Sequence, residues 1–371
     1  MTMNITSAMA SMLFANASSS TSAVDFSFLT KNASTGATAN VGSVKSALAN
    51  AEKNEAQQLA QAAKDPQVQK DLARYEKVVK NAKTVDDVLN DPIARKVLMT
   101  ANGLKSDIDN IALAKKAMTS DPTDKTSLAA RMSSINSGWL NFAKTYNLAE
   151  YGLDALSPQH DGVAGRWKIQ FERAGESVEG MLEITKGRGG AYTAEIDGVA
   201  VPVTVDGKNI TINTLWRDAS DELRNSSFTG TLTKDGLSGT FTNDGETSSA
   251  KWTAPAYFAD SLQKVRDNYI AEKRLDMLDS QMSGLGSAVL FKQVAKNMKN
   301  AVDILGSALG REVVTTAFNI PKQIAVQSIV AQEKAITQRM DPAKLQNAHF
   351  VDQIAQRYLI MLNGGTGGVT A

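Results

Sequence analysis

The side chains that could do chemistry are few in this chain of 371 residues. Cysteine is absent, which removes thiolate nucleophiles, disulfides and zinc–cysteine sites together. His160 and His349 are the two histidines, too few to fill a histidine-rich metal site or to build an imidazole relay with spares. Carboxylates do cluster, Asp86 with Asp87 and Asp107 with Asp109, but at the first turns of expected helices, where negative charge complements the macrodipole. Asp121 to Leu128 has the acidic density of a calcium loop, yet it lacks the central Gly and the closing Glu of an EF-hand, so Asp121 and Asp124 read as turn and cap residues. Gly187-Arg188-Gly189-Gly190 has no phosphate-loop Lys and sits where a hairpin needs glycine. The inventory predicts a non-enzymatic protein with no catalytic residues, no metal and no cofactor.

Charge and hydropathy narrow the partners. With 40 Lys+Arg against 39 Asp+Glu, the net charge of +1 offers no electrostatic case for nucleic acid. No apolar run reaches the roughly 18–20 residues needed to cross a bilayer, so membrane insertion is not expected. Met1 to Ala17 ends in Ala15-Asn16-Ala17, which imitates a cleavage site, but no Lys or Arg precedes Lys31, and a cleaved Sec signal is not expected. Within that stretch Ile5, Met9, Met12 and Leu13 keep the spacing of a helical stripe: either a frayed end or a short helix that orders against a partner. Residues 18–40, rich in Ser, Thr, Ala and Asn, bury too little apolar surface to offset their ordering entropy. Residues 1–44 are therefore expected to be a mobile segment carrying a short apolar helix.

The elements that must position everything else come in two styles. Of 26 glycines, 13 lie between Gly162 and Gly245, which marks a separate module over 161–254. There, turn signals such as Asp197-Gly198, Asp206-Gly207, Lys234-Asp235-Gly236 and Asn243-Asp244-Gly245 punctuate alternating segments. The pattern predicts eight strands, near 165–172, 177–185, 191–196, 199–205, 208–214, 226–233, 237–243 and 248–254, closing into an antiparallel up-and-down β-barrel. Trp167, Ile169 and Phe171 share one face of the first strand, and Val201, Val203 and Val205 share a face of the fourth. The Leu215 to Asn225 connection, with Trp216, Arg217 and Arg224 among acidic residues, reads as a solvated loop or as a partner-contacting tip.

Both flanks are helical. Asp65-Pro66 opens a helix as cap and first residue, and Thr84 with Asp87 makes a capping box with Asp in place of Glu. Further helices are expected at about 125–146, 257–281, 287–306, 308–317, 322–338 and 342–362. The flanks repeat one another: Asp87-Val88-Leu89, Arg95, Val97, Thr100-Ala101 and Ile108 recur 216 residues later as Asp303-Ile304-Leu305, Arg311, Val313, Thr316-Ala317 and Ile324. Asp121-Pro122 returns as Asp341-Pro342 after a small slip. The fold class expected is multi-domain α and β: a discontinuous all-α domain of two related halves, 45–158 and 256–362, with the barrel inserted and a glycine-rich tail over 363–371. An inserted module should have its two ends close together.

The helical part resembles a bacterial helical domain family of uncharacterised function whose genes sit among flagellar genes. The residues that carry this are Asp71-Leu72, Tyr75, Val85-Asp86-Asp87-Val88-Leu89, Asp91-Pro92, Arg95-Lys96-Val97-Leu98, Gly103-Leu104 and Asp121 to Leu128. The resemblance covers about 60–150 and 256–362, and the barrel departs from the pattern. By Gly165-Arg166-Trp167 and later Gly236 to Thr240 the barrel is similar to small lipocalin-like or streptavidin-like barrels. A flagellar role is implied: an exported extracellular component contacting other flagellar subunits or its own copies. The candidate contacts are Ile5, Met9, Met12 and Leu13 at one end and Ile354, Tyr358 and Leu362 at the other. A cytoplasmic assembly factor and a barrel that holds a small ligand or glycan are the alternatives.

Overall fold

The structure is a computed structural model that describes residues 41–133, 135–173, 176–217, 222–244 and 249–364. Two compact units form: one takes the described chain up to Tyr75, residues 92–145 and the chain from Val265; the other takes Glu76–Asp91 and Tyr146–Lys264.

The first unit is helical. Its leading helices are α1 (Val41–Lys53), α2 (Glu55–Lys64) and α3 (Pro66–Asn81), the last running on into the second unit, which also holds α4 (Val85–Asn90). Then come α5 (Pro92–Thr100), α6 (Ile111–Met118), α7 (Leu128–Met132) and α8 (Gly138–Tyr146), with α9 (Leu148–Tyr151) preceding the sheet. After the sheet follow α10 (Ser261–Gln281), α11 (Leu285–Val294), α12 (Ala301–Gly306), α13 (Ala308–Ala317), α14 (Ile329–Thr337) and α15 (Ala348–Gly364). As expected, Asp65 caps α3, its Oδ1 accepting from Gln67 N at 2.8 Å and Val68 N at 3.1 Å. Val44 and Leu48 of α1 share a core with Leu285, Phe291, Ile304, Val313, Ile354 and Tyr358. Helix α1 starts inside the segment expected to be mobile, because Val44, Leu48 and Ala51 give it a buried face.

Several expected helices are divided, and in each case a polar side chain ends the run. The helix expected at 125–146 becomes α7 and α8, with Ile135 exposed between them and Asn136 Oδ1 accepting from Gly138 N at 2.9 Å. The one expected at 322–338 becomes a 3₁₀ turn, Lys322–Val326, followed by α14 with Ser328 as its cap. At 342–362 a 3₁₀ turn, Pro342–Gln346, precedes α15, where Asn347 Oδ1 accepts from His349 N and Phe350 N. Helix α15 runs to Gly364, one turn's edge into the expected tail.

The second unit is built on an antiparallel sheet of nine strands in the order β4-β3-β2-β1-β9-β8-β7-β6-β5, a barrel-like meander. These are β1 (Gly165–Arg173), β2 (Glu176–Lys186), β3 (Tyr192–Ile196), β4 (Val199–Val201), β5 (Val203–Asp206), β6 (Asn209–Arg217), β7 (Leu223–Thr233), β8 (Gly236–Asn243) and β9 (Ala250–Ala254). The ninth strand corrects the expected eight: Pro202 splits the segment 199–205, because it has no N–H to donate and cannot continue a ladder. The segment changes partner there, β4 pairing with β3 and β5 with β6, which brings both ends of the sheet onto adjacent residues and nearly closes it. Asp197 and Gly198, at φ 49° and 78°, form the tight β3–β4 turn that the Asp-Gly pair predicts. Entry and exit of the sheet are paired: Phe171 faces Trp252, and Lys168 N donates to Pro255 O at 2.8 Å.

The sequence repeat is also a repeat of local geometry. Thr84 caps α4 by accepting from Asp87 N, while Asp87 Oδ2 accepts from Lys83 N and Thr84 N, each at 2.9 Å. Asn300 and Asp303 make the same box at α12, with Asp303 Oδ2 accepting from Lys299 N at 2.8 Å. One helix later the stops match as well. Gly103 (φ 71°) and Asn319 (φ 47°) are both left-handed, and Leu104 N to Met99 O and Ile320 N to Thr315 O close the same six-residue loop.

Candidate functional site

The barrel interior is the first place where a ligand could sit, and its own side chains occupy it. Phe228 lies 4.5 Å from Phe241, 5.6 Å from Phe171 and 5.8 Å from Trp252, centroid to centroid. Trp167, Ile169, Leu182, Ile184, Ile210, Ile212 and Leu237 complete this core, with Val203 packed at its edge. Trp167 is buried and its Nε1–H donates to Val163 O at 2.9 Å, so it acts as a packing residue at the barrel's entry. Close strand approach depends on glycine: a Cβ at Gly239 would stand 1.8 Å from Thr229 O, and one at Gly230 would stand 2.4 Å from the Trp252 ring.

A cleft of about 670 Å³ lies in the same unit, lined by Ala82 to Val85, Tyr151 to Asp154, Gln159 and Arg166. Its floor is an ion cluster. The Arg166 guanidinium donates to Asp154 Oδ2 at 2.7 Å, pairs with Glu183 at 3.0 Å and lies 5.4 Å from the Tyr151 ring centroid. Burial works against the Arg166 charge, but the Asp154 hydrogen bond and the Glu183 carboxylate outweigh it and hold its pKa above the ordinary value. Burial, reinforced by Glu150, pushes the Tyr151 hydroxyl up. Asp154 also accepts from Gln159 N, within the segment before β1, while its pair with Arg166 ties that segment to the strand. Arg166, Asp154 and Glu183 thus pair with one another at the cleft.

In the helical unit the most enclosed carboxylate is Asp71, 2% exposed. It accepts from Lys96 Nζ at 2.7 Å, Tyr269 Oη at 2.6 Å and Gln67 Nε2 at 2.7 Å. Burial alone would raise its pKa; those three donors overcome it and hold the carboxyl below its usual value. Burial and the Asp71 charge push the Tyr269 hydroxyl far up, so it stays protonated as a donor. Arg357 is 2% exposed, lies 4.7 Å over the Phe318 ring, and is pressed down to about 10 by burial.

The residues singled out in the sequence fall in different places. Asp121 and Asp124 each accept from a Thr backbone and hydroxyl two residues on, at 2.7 Å, which uses them in local turns. His349 is exposed on α15, and His160 lies 5.5 Å from the Trp167 ring. Among the described residues, no group of three or more His, Cys, Asp or Glu is placed to hold a metal ion, and no helix is long and apolar enough to cross a membrane. Ile5, Met9, Met12 and Leu13 lie outside the described residues. Ile354 and Tyr358 sit in the core of the helical unit, 2% and 0% exposed, Tyr358 Oη donating to Glu312 at 2.6 Å, while Leu362 is 39% exposed. Most of the expected 215–225 connection is strand: β6 and β7 pair as far as Arg217 with Leu223, leaving Leu215 and Leu223 exposed near the hairpin's end.

One surface escaped the sequence reading. Val326, which ends the 3₁₀ turn before α14, and Ile329 and Val330, which open α14, are 90%, 63% and 73% exposed. Their helical spacing reads as a core stripe, and spacing alone does not say whether anything covers it.

Comparison with known proteins places this architecture. A family model described as a protein of unknown function (DUF1217) matches residues 101–170 and 225–351, more than half of the chain, and the chain belongs to that family. The match takes in β1 as far as Gln170 and all but the first residues of β7 through to β9, so part of the barrel lies within the family pattern rather than outside it. A crystal structure of a protein from Agrobacterium tumefaciens is similar at 16% identity and a TM-score of 0.49, over 88% of this chain and 96% of its own. No curated protein matches the chain.

Proposed function

We propose that this protein is a non-enzymatic structural or interaction component of the bacterial flagellum, exported and assembled through apolar helical surfaces with its barrel outermost. The observation that supports the non-enzymatic part is the filling of the barrel interior by its own side chains. The barrel is filled by Trp167, Phe171, Phe228, Phe241 and Trp252, and the charges under the cleft are paired with each other. A filled barrel weighs against the reading in which it carries a small ligand or glycan. The flagellar part rests on the resemblance of the helical segments to a family found among flagellar genes. Cysteine-free composition and the apolar N-terminal stripe agree with it, as do the exposed apolar residues of α14 and Leu362 at the C-terminal end of α15. Deleting residues 1–30 tests the role of the stripe: the shortened protein should remain soluble and folded and should no longer enter the organelle. Normal incorporation of that variant would remove the N-terminal segment from the assembly mechanism.

A further inference from the structure

The cleft beside β1 collects groups that suit a neutral, polyhydroxylated ligand better than an ion. Its volume of about 670 Å³ falls within the roughly 300–1,000 Å³ of small-molecule sites. Arg166 lines it, with its side chain 22% exposed. The guanidinium directs Nε–H to Glu183 Oε2 at 3.2 Å, one Nη1–H to Asp154 Oδ2 at 2.7 Å and one Nη2–H to Glu183 Oε1 at 3.0 Å. A guanidinium holds five N–H donors in a planar fork. The remaining two, one on each Nη, meet no acceptor among the described residues. Around them, the Thr84 hydroxyl accepts from Asp87 N and keeps its own proton to donate, and Gln159 directs Nε2 to Ser157 O and keeps Oε1 to accept. Tyr151 adds an aromatic ring to the lining, fixed by Phe258 at 5.2 Å and Tyr257 at 6.5 Å, centroid to centroid.

We propose that this cleft binds a neutral saccharide. The two open N–H groups of Arg166 donate to neighbouring sugar hydroxyls, Thr84 and Gln159 bond to others, and Tyr151 packs against the C–H groups of the ring. Charge decides against ions. Asp154 and Glu183 already neutralise Arg166 and leave the trio with one net negative charge, which exposed Lys83 in the lining offsets. An anion would have to displace or face the two carboxylates, and a cation would face the guanidinium. A hydroxyl both donates and accepts, so it can take an open N–H of Arg166 and a free lone pair of a carboxylate without breaking either ion pair. Because those pairs already hold the fork in place, binding orders few side chains. The cleft lies outside the filled barrel interior, so the packing of Phe228 and its neighbours does not obstruct it. The inference goes beyond the flagellar reading and does not depend on it.

The test is heteronuclear NMR of the purified, nitrogen-labelled full-length protein, titrated separately with maltose, cellobiose, lactose and diacetylchitobiose to tens of millimolar, and with inorganic phosphate. At least one sugar is expected to shift the Arg166 Nε resonance and the amides of Thr84, Gly152 and Gln159 along one saturable curve with a millimolar Kd. Arg166→Lys keeps the charge but loses the fork and should weaken that Kd about ten-fold. Gln159→Ala changes an exposed side chain, so it reads the same site even if Arg166→Lys does not fold, and should weaken the Kd about three-fold. Absence of a saturable shift at these residues with all four sugars would overturn the proposal, as would an unchanged Kd in Gln159→Ala. Saturation of the same residues by phosphate at lower concentration than by any sugar would overturn it in favour of an anion site. The titration uses purified protein, so its failure is separate from failure of the flagellar reading.

Discussion

Replacing Asp71 with Asn should destabilise the helical unit by about 2–4 kcal/mol at neutral pH. Asp71→Asn keeps the shape of the side chain, so the loss is in charge and hydrogen bonding rather than packing. Three donors converge on the carboxylate within 2.7 Å, and the group itself is 2% exposed. Hydrogen bonds to a charged group contribute about 1.5–3 kcal/mol each. Lys96 is one-third exposed and regains water when released, which discounts its share, whereas Tyr269 is fully buried and would be left with a neutral amide oxygen in place of a charged acceptor. In a unit of this size, a change of that magnitude lowers Tm by roughly 4–16 °C, at about 2–4 °C per kcal/mol. The assay is thermal unfolding followed by helical circular dichroism, repeated down the pH scale. The pKa of Asp71 is lower in the folded than in the unfolded chain. Its stabilisation is therefore complete above the ordinary Asp value of 3.8 and is lost as pH falls through the lowered folded value. The gap between the two proteins should narrow over that acidic window. A loss below about 0.5 kcal/mol at pH 7, or a gap that does not change with pH, would refute the reasoning.

Other consequences are as direct. Phe228→Ala removes the ring on which Phe171, Phe241 and Trp252 converge and should cost the barrel about 3–5 kcal/mol, read by tryptophan fluorescence in urea. Gly239→Ala brings a methyl to 1.8 Å from Thr229 O, so β7 and β8 cannot keep their register, and dispersed amide resonances of the barrel should collapse while those of the helical unit persist. Asn300→Ala removes the cap of α12 and should cost about 1 kcal/mol, with faster exchange at the Asp303 amide, its former donor.

Much of the architecture is legible in the residues because it is local. Asp197-Gly198 predicts a turn by its own backbone preference, and Thr84 with Asp87 sets a helix start within four residues, whereas the matching box of Asn300 with Asp303 falls inside the helix expected at 287–306 and divides it. Pro202 carries the signal for the ninth strand, since a proline inside an alternating segment marks a change of partner. What is not legible depends on distant partners. Asp71 meets Tyr269 across 198 residues and Arg274 meets Glu55 across 219, and neither carboxylate differs in local sequence from a solvated one. Ile354 and Tyr358 show why an apolar stripe does not identify an interface: they keep the spacing of a contact surface and are buried in the protein's own core. Val326, Ile329 and Val330 are the converse, core-like in spacing and exposed in the fold.

Membership of the flagellum as a structural component is the proposal that most needs a direct test. The most direct measurement is fractionation of a flagellated culture into cytosol, basal bodies with hooks, and sheared filaments, each probed with an antibody to this protein. Co-purification with the organelle, lost in an export-deficient strain, is the predicted result. Confinement to the cytosol in both strains would contradict it.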